Sequence, residues 1–385
     1  MGPLDGVRIV EFAGLGPAPF GAMLLADLGA DIIRLDRPGG YPSPHESLSF
    51  EQFGKFAFYN RNRRTVRLDL KAPKGRNAAL RLIANADALI EPFRPGVMEK
   101  LGLGPDECLA ANPRLLYARM TGWGQTGPLA RTAGHDLNYI GLSGALGLFN
   151  PDPEHVPGIP PLIGDMGGGG LFMAFGLLAG VISARQTGKG QVMDAAIVDG
   201  SAALYATIKS LHKAGAWPNP AGRNTIDGGR YFYRVYRCKD GLLVSVGAIE
   251  PAFRKALLDR LGLADDPAFA NDDEAMERER CDKIARVFAE KTRDEWAALF
   301  SATDGCVAPV LSMDEAETHP QALARNAFTE IDGVSQPTPA PRFSATPGEI
   351  AISPQEASRS NPQALAAWGF SADDIEALRT AGVVS

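Results

Sequence analysis

The sequence has few of the residues that build metal centres and disulfide frameworks. Its 385 residues include only five histidines and four cysteines, and the cysteines, Cys108, Cys238, Cys281 and Cys306, form no C-x-x-C pair. This spacing argues against a structural zinc site and against a disulfide framework. We therefore expect no metal ion in this protein.

The chain also lacks an excess of positive charge, a targeting segment and a long apolar run. Its formal net charge of -6 argues against a general nucleic-acid binder but allows an anionic small molecule in a local basic pocket. No basic segment followed by an apolar one begins the chain, so we expect a cytoplasmic protein. The longest apolar run, residues 171–182, is shorter than the roughly 20 residues of a membrane span and predicts a buried helix.

The first half of the chain has the pattern of an α/β protein. With 45% hydrophobic and 22% charged residues, the chain has a globular composition, and its length favours two domains. Short apolar runs bounded by turn residues predict buried strands, and helical spacing separates them, which indicates a doubly wound parallel sheet. The glycine-rich turn at 14–21 does not have G-x-G-x-x-G spacing, so a dinucleotide site is not expected. The predicted strands are 7–12, 31–35, 65–70, 88–90 and 115–120, and the helices between them are 20–28 and 76–84.

The second half predicts a smaller α+β domain. Proline, glycine and asparagine are frequent at 217–230, which is typical of a linker. Residues 231–237 and 242–248 flank a Lys-Asp-Gly turn and predict a hairpin. Helices are predicted at 251–261, at 276–291 and from Thr292, where T-R-D-E has the form of a capping box.

Two polar motifs point to proton-transfer chemistry. The stretch at 118–139 contains His135, and the GDMGGGG run at 164–170 contains Asp165. An imidazole and a carboxylate can each exchange a proton near neutral pH once their surroundings tune them. Each residue also has a structural interpretation, since His135 can simply stabilise a turn and Asp165 can cap a helix. The arginines of the NRNRR run, Arg61, Arg63 and Arg64, are interpreted as a solvated face.

Five segments and three short motifs resemble the class III CoA-transferase family, and within it the α-methylacyl-CoA racemase branch. The subgroup rests on GHD at 134–136, DGG at 227–229 and GAIEP at 247–251. The resemblance implies a Rossmann-like large domain that contains both chain ends, a small domain between them, and an interlocked homodimer. The segments are EFAGLGPAPFGAMLLADLGADIIRLDRPGG, EPFRPGVMEKLGLGP, ARMTGWGQTGPLARTAGHDLNYIGLSG, TGKGQVMDAAIVDG and VGAIEPAF.

This resemblance also implies domain boundaries and a CoA site. The large domain is expected at 1–195, a connecting helix and linker at 196–229, the small domain at 230–325 and a return to the large domain at 326–385. Lysine and arginine suit pyrophosphate and adenine through charge-assisted hydrogen bonds and stacking. The implied CoA-binding residues are Arg37, Leu68, Asp69, Leu70, Lys71, Pro92, Phe93, Arg94, Lys100, Gly134, Asp136, Leu137, Asn138 and Tyr139.

The activity implied by the resemblance is racemisation of a 2-methylacyl-CoA thioester. His135 and Asp165 would remove and return the α-proton on opposite faces, and Glu250 would orient His135 through the far ring nitrogen. Glycines 167–170 would allow close approach of the substrate, with amides at the helix start facing the thioester oxygen. Such chemistry needs no metal or redox cofactor. We expect no nucleic-acid partner and no membrane partner.

Two other activities remain open at this level. In CoA-transferases of the family, the aspartate at the position of Asp165 is a nucleophile that forms a covalent acyl intermediate. The histidine of the GHD motif favours the racemase, whereas the C-terminal GFSADDIEALRTAGVVS resembles the transferase branches. A non-catalytic acyl-CoA-binding relative is the third reading. Arg230 and Tyr231 depart from the racemase pattern and could narrow the acyl site or add charge to it.

Overall fold

The computed structural model describes residues 2–40, 53–149, 158–218, 221–271 and 273–385, and the chain divides into two units. The first unit contains Met1–Leu146, Gly158–Tyr205 and Ala324–Ser385, and the second contains Gly147–Pro157 and Ala206–Leu323. The segment predicted as a connection at 196–229 is thus divided between the two units at Tyr205. Both ends of the chain belong to the first unit.

A six-stranded parallel sheet forms the centre of the first unit, in the order β3-β2-β1-β4-β5-β6. This order is that of a doubly wound sheet whose direction of winding reverses between β1 and β4. All five predicted strands are present, which confirms the α/β class, and β6 was not predicted. The strands are β1 (Arg8–Phe12), β2 (Asp31–Asp36), β3 (Arg63–Arg67), β4 (Ala88–Glu91), β5 (Leu116–Thr121) and β6 (Gln191–Ala196).

Helices cover both faces of this sheet. Proline stands in the first turn of α1, α2 and α4, where its missing N–H costs no hydrogen bond. One face packs against α2 and the C-terminal helices, and the other packs against α1 and α6. The helices of this unit are α1 (Pro17–Asp27), α2 (Pro73–Ala84), α3 (Val97–Leu101), α4 (Pro105–Ala111), α5 (Asp136–Ser143), α6 (Phe172–Thr187) and α7 (Ile197–Leu204), followed late in the chain by two C-terminal helices, Pro354–Ala357 and Ala372–Thr380.

The glycine-rich run and the apolar run form one continuous helix. A π-helical segment, Leu162–Leu171, leads directly into α6, and together they span 26 residues that are long and apolar enough to cross a membrane. Only 39% of the most apolar window is buried. One face packs on the sheet, whereas Leu171, Phe175 and Ile182 are exposed on the other. The prediction of a buried helix at 171–182 is therefore wrong for this second face.

The C-terminal segment closes the first unit. Ser360 forms a bridge with Thr65 of β3, and Val384 forms one with Leu68 just beyond it. Between them Trp368 is almost fully buried in the core beneath the sheet. A late segment of the chain therefore completes a core that the earliest strands begin. A two-stranded hairpin of Phe328–Ile331 and Val334–Pro337 also belongs to this unit.

The NRNRR run is not a solvated face, and this interpretation of the sequence is wrong for two of its three arginines. Arg61 is 2% exposed and makes a bidentate ion pair with Asp27 of α1. Arg63 is fully buried, and its Nε lies 3.2 Å from Oε2 of Glu11 in β1. Only Arg64 is exposed. Local sequence does not indicate these ion pairs, because both partner carboxylates lie more than 30 positions earlier in the chain.

The second unit combines α-helices with an antiparallel sheet. A three-stranded antiparallel sheet in the order β7-β8-β9 includes the predicted hairpin, and Thr292 forms the predicted capping box with Glu295. Arg230 makes ion pairs with Glu274 and Glu277, so its charge is compensated within this unit. The strands are Tyr233–Arg237, Leu243–Gly247 and Val307–Pro309, and the helices are Ala206–Lys213, Pro251–Leu261, Glu277–Phe288, Arg293–Phe300 and Met313–Thr318. Pro320–Ala324 is a short helix at the return to the first unit.

Candidate active site

A cavity of about 400 Å³ lies at the carboxyl edge of the parallel sheet, where the winding reverses. Ligands of open α/β sheets bind at this position because the loops after β1 and β4 diverge there. We call it the central cavity. Seven residues of the sequence-based site line it: Pro92, Phe93, Arg94, Gly134, His135, Tyr139 and Asp165.

His135 is placed by the start of α5. It is the residue that caps this helix, with extended backbone, and its N–H donates to Oδ1 of Asn138 at 3.1 Å. Its side chain is exposed and lines the central cavity. The structural role of this histidine is compatible with a chemical one, because the backbone caps the helix while the imidazole faces the cavity.

Asp136 joins the two polar motifs. Its side chain is buried, and Oδ1 accepts the backbone N–H of Asp165 at 2.6 Å. This hydrogen bond ties the first turn of α5 to the first turn of the π-helical segment. Asp136, which follows His135 in sequence, thus holds the backbone of Asp165. The side chains of His135 and Asp165 line the same cavity.

The carboxyl group of Asp165 has an environment that suits proton exchange. Burial, and secondarily the charge of Asp136, raise its pKa from 3.8 to about 7. At pH 7 about half of the molecules then hold this proton, whereas an ordinary aspartate would hold it in roughly one molecule of 1,600. The turn after β1 approaches the same group, since a Cβ on Gly16 would lie 2.9 Å from Oδ2.

The glycines after Asp165 serve helix packing rather than substrate approach. The helix begins at Leu162, so glycines 167–170 lie in its interior. The expectation that they stand at the start of the helix is wrong. A Cβ on Gly169 would lie 2.8 Å from Pro17 of α1, and one on Gly168 would lie 2.5 Å from the amide of Ser201 in α7. The run therefore lets three helices meet closely. The expected role for Asp165 as a helix cap is also wrong, because Pro161 occupies that position.

Aromatic residues form another wall of the central cavity. Tyr139 donates a hydrogen bond to the carbonyl of Gly134 and packs edge-on against Trp123, with ring centroids 4.7 Å apart. Burial, together with Asp165, raises the pKa of Tyr139 to about 12, so this phenol keeps its proton near neutral pH. Tyr59 lines the same cavity, and burial, followed by the charge of Asp165, raises its pKa. The ring wall therefore adds no negative charge near Asp165.

A second cavity, of about 410 Å³, lies beside the first and is called the flanking cavity. It is lined by residues from the ends of β1 and β2, from the segment after β3 and from α3. Apolar side chains, including Phe12, Leu35 and Leu101, form its floor, and exposed cations stand around it. Phe93 lines both cavities. The sequence-based residues here are Arg37, Leu68, Asp69, Leu70, Lys71, Phe93 and Lys100.

Four residues of the sequence-based site lie elsewhere. Among the residues that the structure describes, Asp136, Leu137 and Asn138 line neither cavity. Asp136 is buried behind the site, and the other two are exposed on α5. Glu250 belongs to the second unit, where it precedes the helix Pro251–Leu261 and makes no side-chain capping bond.

Several lining residues had no signal in the sequence. The central cavity also uses Gly16, Tyr59, Trp123 and Met166, which come from four separate segments. Only the strand order brings these segments to one edge. Trp123 lies in the motif that contains His135, and Met166 lies in the motif that contains Asp165, but the sequence pattern singles out neither residue. Within the described ranges, no cluster of three or more histidine, cysteine, aspartate or glutamate side chains has the form of a metal site.

The fold and the two cavities define an α/β protein in which His135 and Asp165 line one cavity at the switch point of a doubly wound sheet. The sequence pattern of the CoA-transferase family III matches residues 4–363. The chain is 40% identical to alpha-methylacyl-CoA racemase of Mus musculus over 385 residues, which is 99% of this chain and 97% of that protein. The racemase of Homo sapiens gives the same identity over 386 residues, with the same coverage.

More distant relatives agree. Acetyl-CoA:oxalate CoA-transferase of Acetobacter aceti is 31% identical over 350 residues, covering 87% of this chain and 88% of that protein. The crystal structure of a CAIB/BAIF family protein from Brucella suis has a TM-score of 0.78 at 25% identity and covers 95% of this chain and 98% of that one. The chain belongs to the CoA-transferase family III. Its resemblance to the racemase branch is confirmed at the level of sequence.

Proposed function

We propose that this protein interconverts the R and S epimers of 2-methylacyl-CoA thioesters. The observation on which the proposal rests is that His135 and Asp165 line one cavity, held there by the Asp136 hydrogen bond. The racemases that are 40% identical over nearly the whole chain support the same assignment.

The chemistry requires two groups that share one proton. The base takes the α-proton of the thioester and leaves a planar enolate, and the acid then returns a proton to the opposite face of the same carbon. His135 is the base for one epimer and Asp165 for the other. With a pKa of about 7, Asp165 is suited to both roles, because its two protonation states are nearly equally populated at neutral pH.

The flanking cavity suits the CoA part of this substrate. Arg37, Lys71 and Lys100 are exposed cations beside an apolar floor, an arrangement that matches a phosphorylated nucleotide with its adenine ring. Phe93 lies between the two cavities and would contact the pantetheine arm that connects them. This binding mode uses no resident cofactor, and the absence of one stays a prediction.

We further propose that Glu250 orients His135. It is an exposed carboxylate of the second unit, free of a capping bond to its own helix. Glu250→Gln should lower kcat for both epimers while leaving KM for the thioester within about twofold, because the imidazole would lose its orientation but the CoA site would not change. An equal loss with Glu274→Gln, which removes a partner of Arg230 in the same unit, would contradict this role.

A homodimer is proposed on the basis of an exposed apolar stripe. Leu171, Phe175 and Ile182 follow one another at helical spacing, and their side chains are 51%, 71% and 57% exposed. A second copy of the chain would bury this stripe. Light scattering should give the mass of two chains, and Phe175→Glu should shift it toward one. Binding of the native chain to lipid vesicles would instead favour a membrane. Cytoplasmic location and a role in lipid metabolism stay predictions.

One experiment tests the proposed activity. A single epimer of a 2-methylacyl-CoA is incubated with the protein in deuterium oxide, and the α-carbon is followed by NMR and by chiral separation. Racemisation with deuterium at the α-carbon is the expected result. Asp165→Asn should abolish inversion while exchange from the epimer that His135 deprotonates persists, because asparagine cannot deliver a proton.

The same incubation separates the other activities. Transfer of CoA to an added carboxylic acid without α-exchange would identify a CoA-transferase, with Asp165 as nucleophile, as the 31% identical relative suggests. Binding without either reaction would identify a non-catalytic relative.

A further inference from the structure

One arginine holds both ends of the segment that separates the two cavities. Arg119 of β5 is 7% exposed, and its Nε donates to Oε1 of Glu91 at 2.8 Å. Its Nη1 donates to Oε1 of Glu99 at 2.9 Å. Glu91 ends β4 and Glu99 lies in α3, so the arginine clasps the first and last residues of the run EPFRPGVME. We call residues 91–99 the dividing segment.

The dividing segment contributes to both cavities. Pro92 and Arg94 face the central cavity, Val97 faces the flanking cavity, and Phe93 faces both. Lys100 follows immediately and belongs to the flanking cavity. Any displacement of this segment would therefore alter the two cavities at once.

The anchor at the buried end is specific. Glu91 is fully buried, and its Oε2 accepts the backbone N–H of Phe93 at 2.8 Å while Oε1 accepts from Arg119. Burial raises the pKa of Glu91 to about 7, and the arginine limits this rise. The guanidinium contacts the two carboxylates through separate nitrogens, Nε and Nη1, whereas a lysine ammonium presents a single nitrogen.

We propose that Arg119 is a positioning residue that fixes the dividing segment and so sets where the thioester of a bound acyl-CoA lies relative to His135 and Asp165. The inference rests on the proposed function, because it assumes that CoA occupies the flanking cavity and the acyl group the central one. A shift of about 1 Å in such a wall can change a rate by about 100-fold even where no reacting group is lost.

The test compares two lysine variants of buried arginines. Arg119→Lys keeps the charge but loses the double contact. Arg61→Lys is the control, because it makes the same change at the ion pair with Asp27, and Arg61 lines neither cavity. Calorimetric titration with free CoA and with isobutyryl-CoA gives, for each variant, the gain in affinity due to the acyl group. Isobutyryl-CoA has no chiral α-carbon, so α-deuterium exchange can be followed with the same compound.

Arg119→Lys should lose at least fivefold of the acyl-dependent gain and at least tenfold of the exchange rate, whereas affinity for free CoA should fall by less than fivefold. The loss of CoA affinity is the smaller one because Arg37 and Lys71 lie on other loops, while Phe93 and Lys100 move with the dividing segment. Arg61→Lys should lower the melting temperature without either change. An unchanged acyl-dependent gain in Arg119→Lys, or equal losses in both variants, would overturn the inference.

Failure of the proposed function gives a different result. If the native protein gains affinity from the acyl group but exchanges no α-proton, the racemase assignment fails, and the binding comparison still decides the role of Arg119. If the native protein binds neither compound, both proposals fail. Should Arg119→Lys not fold, Glu99→Gln replaces it, because this side chain is 43% exposed and its loss leaves the Glu91 pair intact. An intermediate loss of the acyl-dependent gain is then expected, and no loss would overturn the inference.

Discussion

Replacing Asp136 by asparagine should move the pH dependence of catalysis. The substitution removes the negative charge beside Asp165 but keeps an oxygen that can accept the Asp165 N–H. The pKa of Asp165 stands at about 7 instead of 3.8, and burial is the larger of its two causes. The charge of Asp136 therefore accounts for less than half of a difference of about 3. The pKa should fall in Asp136→Asn, by no more than about 1.5 on the pH scale.

The kinetic consequence follows from proton counting. Racemisation needs one proton shared between His135 and Asp165, so kcat/KM falls on both sides of a maximum. The two epimers must show the same profile, since the equilibrium constant between them does not depend on pH. One limb of this profile is set by Asp165 near pH 7 and should move to lower pH in Asp136→Asn.

The assay measures kcat/KM for each epimer between pH 5 and pH 9, by chiral separation after short incubations. Asp194→Asn is the control. This exposed carboxylate accepts the backbone N–H of Gln125 at the same edge of the sheet and does not contribute to the raised pKa of Asp165. A limb that stays in place in Asp136→Asn, or that moves to higher pH, would refute the electrostatic coupling. Movement of the same size in Asp194→Asn would also refute it.

Three further predictions concern single residues. His135→Ala should lower racemisation at least 100-fold, with calorimetric affinity for CoA nearly unchanged, because the flanking cavity is formed by other loops; a loss of CoA affinity would contradict this separation. Gly16→Ala should lower kcat more than tenfold, because the new Cβ would meet the Asp165 carboxylate. Gly39→Ala is the control: Gly39 has a similar positive φ but open space around it, so this variant should change only the melting temperature. Equal kinetic effects in the two variants would exclude the contact with Asp165 as the cause. Glu91 binds its proton more tightly when folded, because burial raises its pKa from 4.5 to about 7, so its contribution to the free energy of unfolding should decrease as the pH rises through this interval. Denaturant unfolding should show this decrease, about 3 kcal/mol in total, in the native protein relative to Glu91→Gln, and parallel pH curves for the two would contradict it.

The sheet was predictable from sequence because its strands are short, apolar and bounded by turns. The sequence does not predict strand β6, because Gln191–Ala196 lies at the sheet edge with five of its residues at least partly exposed and two of them polar, so it lacks the apolar run of a buried strand. The glycine run was assigned to a helix start, yet its role depends on α1 and α7, which approach it only in three dimensions. Local sequence patterns therefore predict helices and strands, but they do not predict the tertiary contacts between elements that are distant in the chain.

The candidate site shows the same division. The motif with His135 and the motif with Asp165 were identified from residue types, and the family resemblance supplied their roles. Asp136 was expected to bind CoA, but it is buried and holds the Asp165 backbone instead. Arg119 was not identified at all, because its partners Glu91 and Glu99 become neighbours only when β4 and β5 pair. The glutamates that begin and end EPFRPGVME, Glu91 and Glu99, are the sequence feature that points to a shared cationic partner.

The pairing of the C-terminal segment with β3 has a consequence for biosynthesis. Trp368 fills the core under the first strands, and Val384 bridges to Leu68. A ribosome must therefore release almost the whole polypeptide before this core can close. Until then, the part of this sheet face that the C-terminal segment covers beside α2 stays exposed for the time needed to translate the second unit. A chaperone that shields such surfaces should therefore be found on stalled nascent chains that end before residue 354.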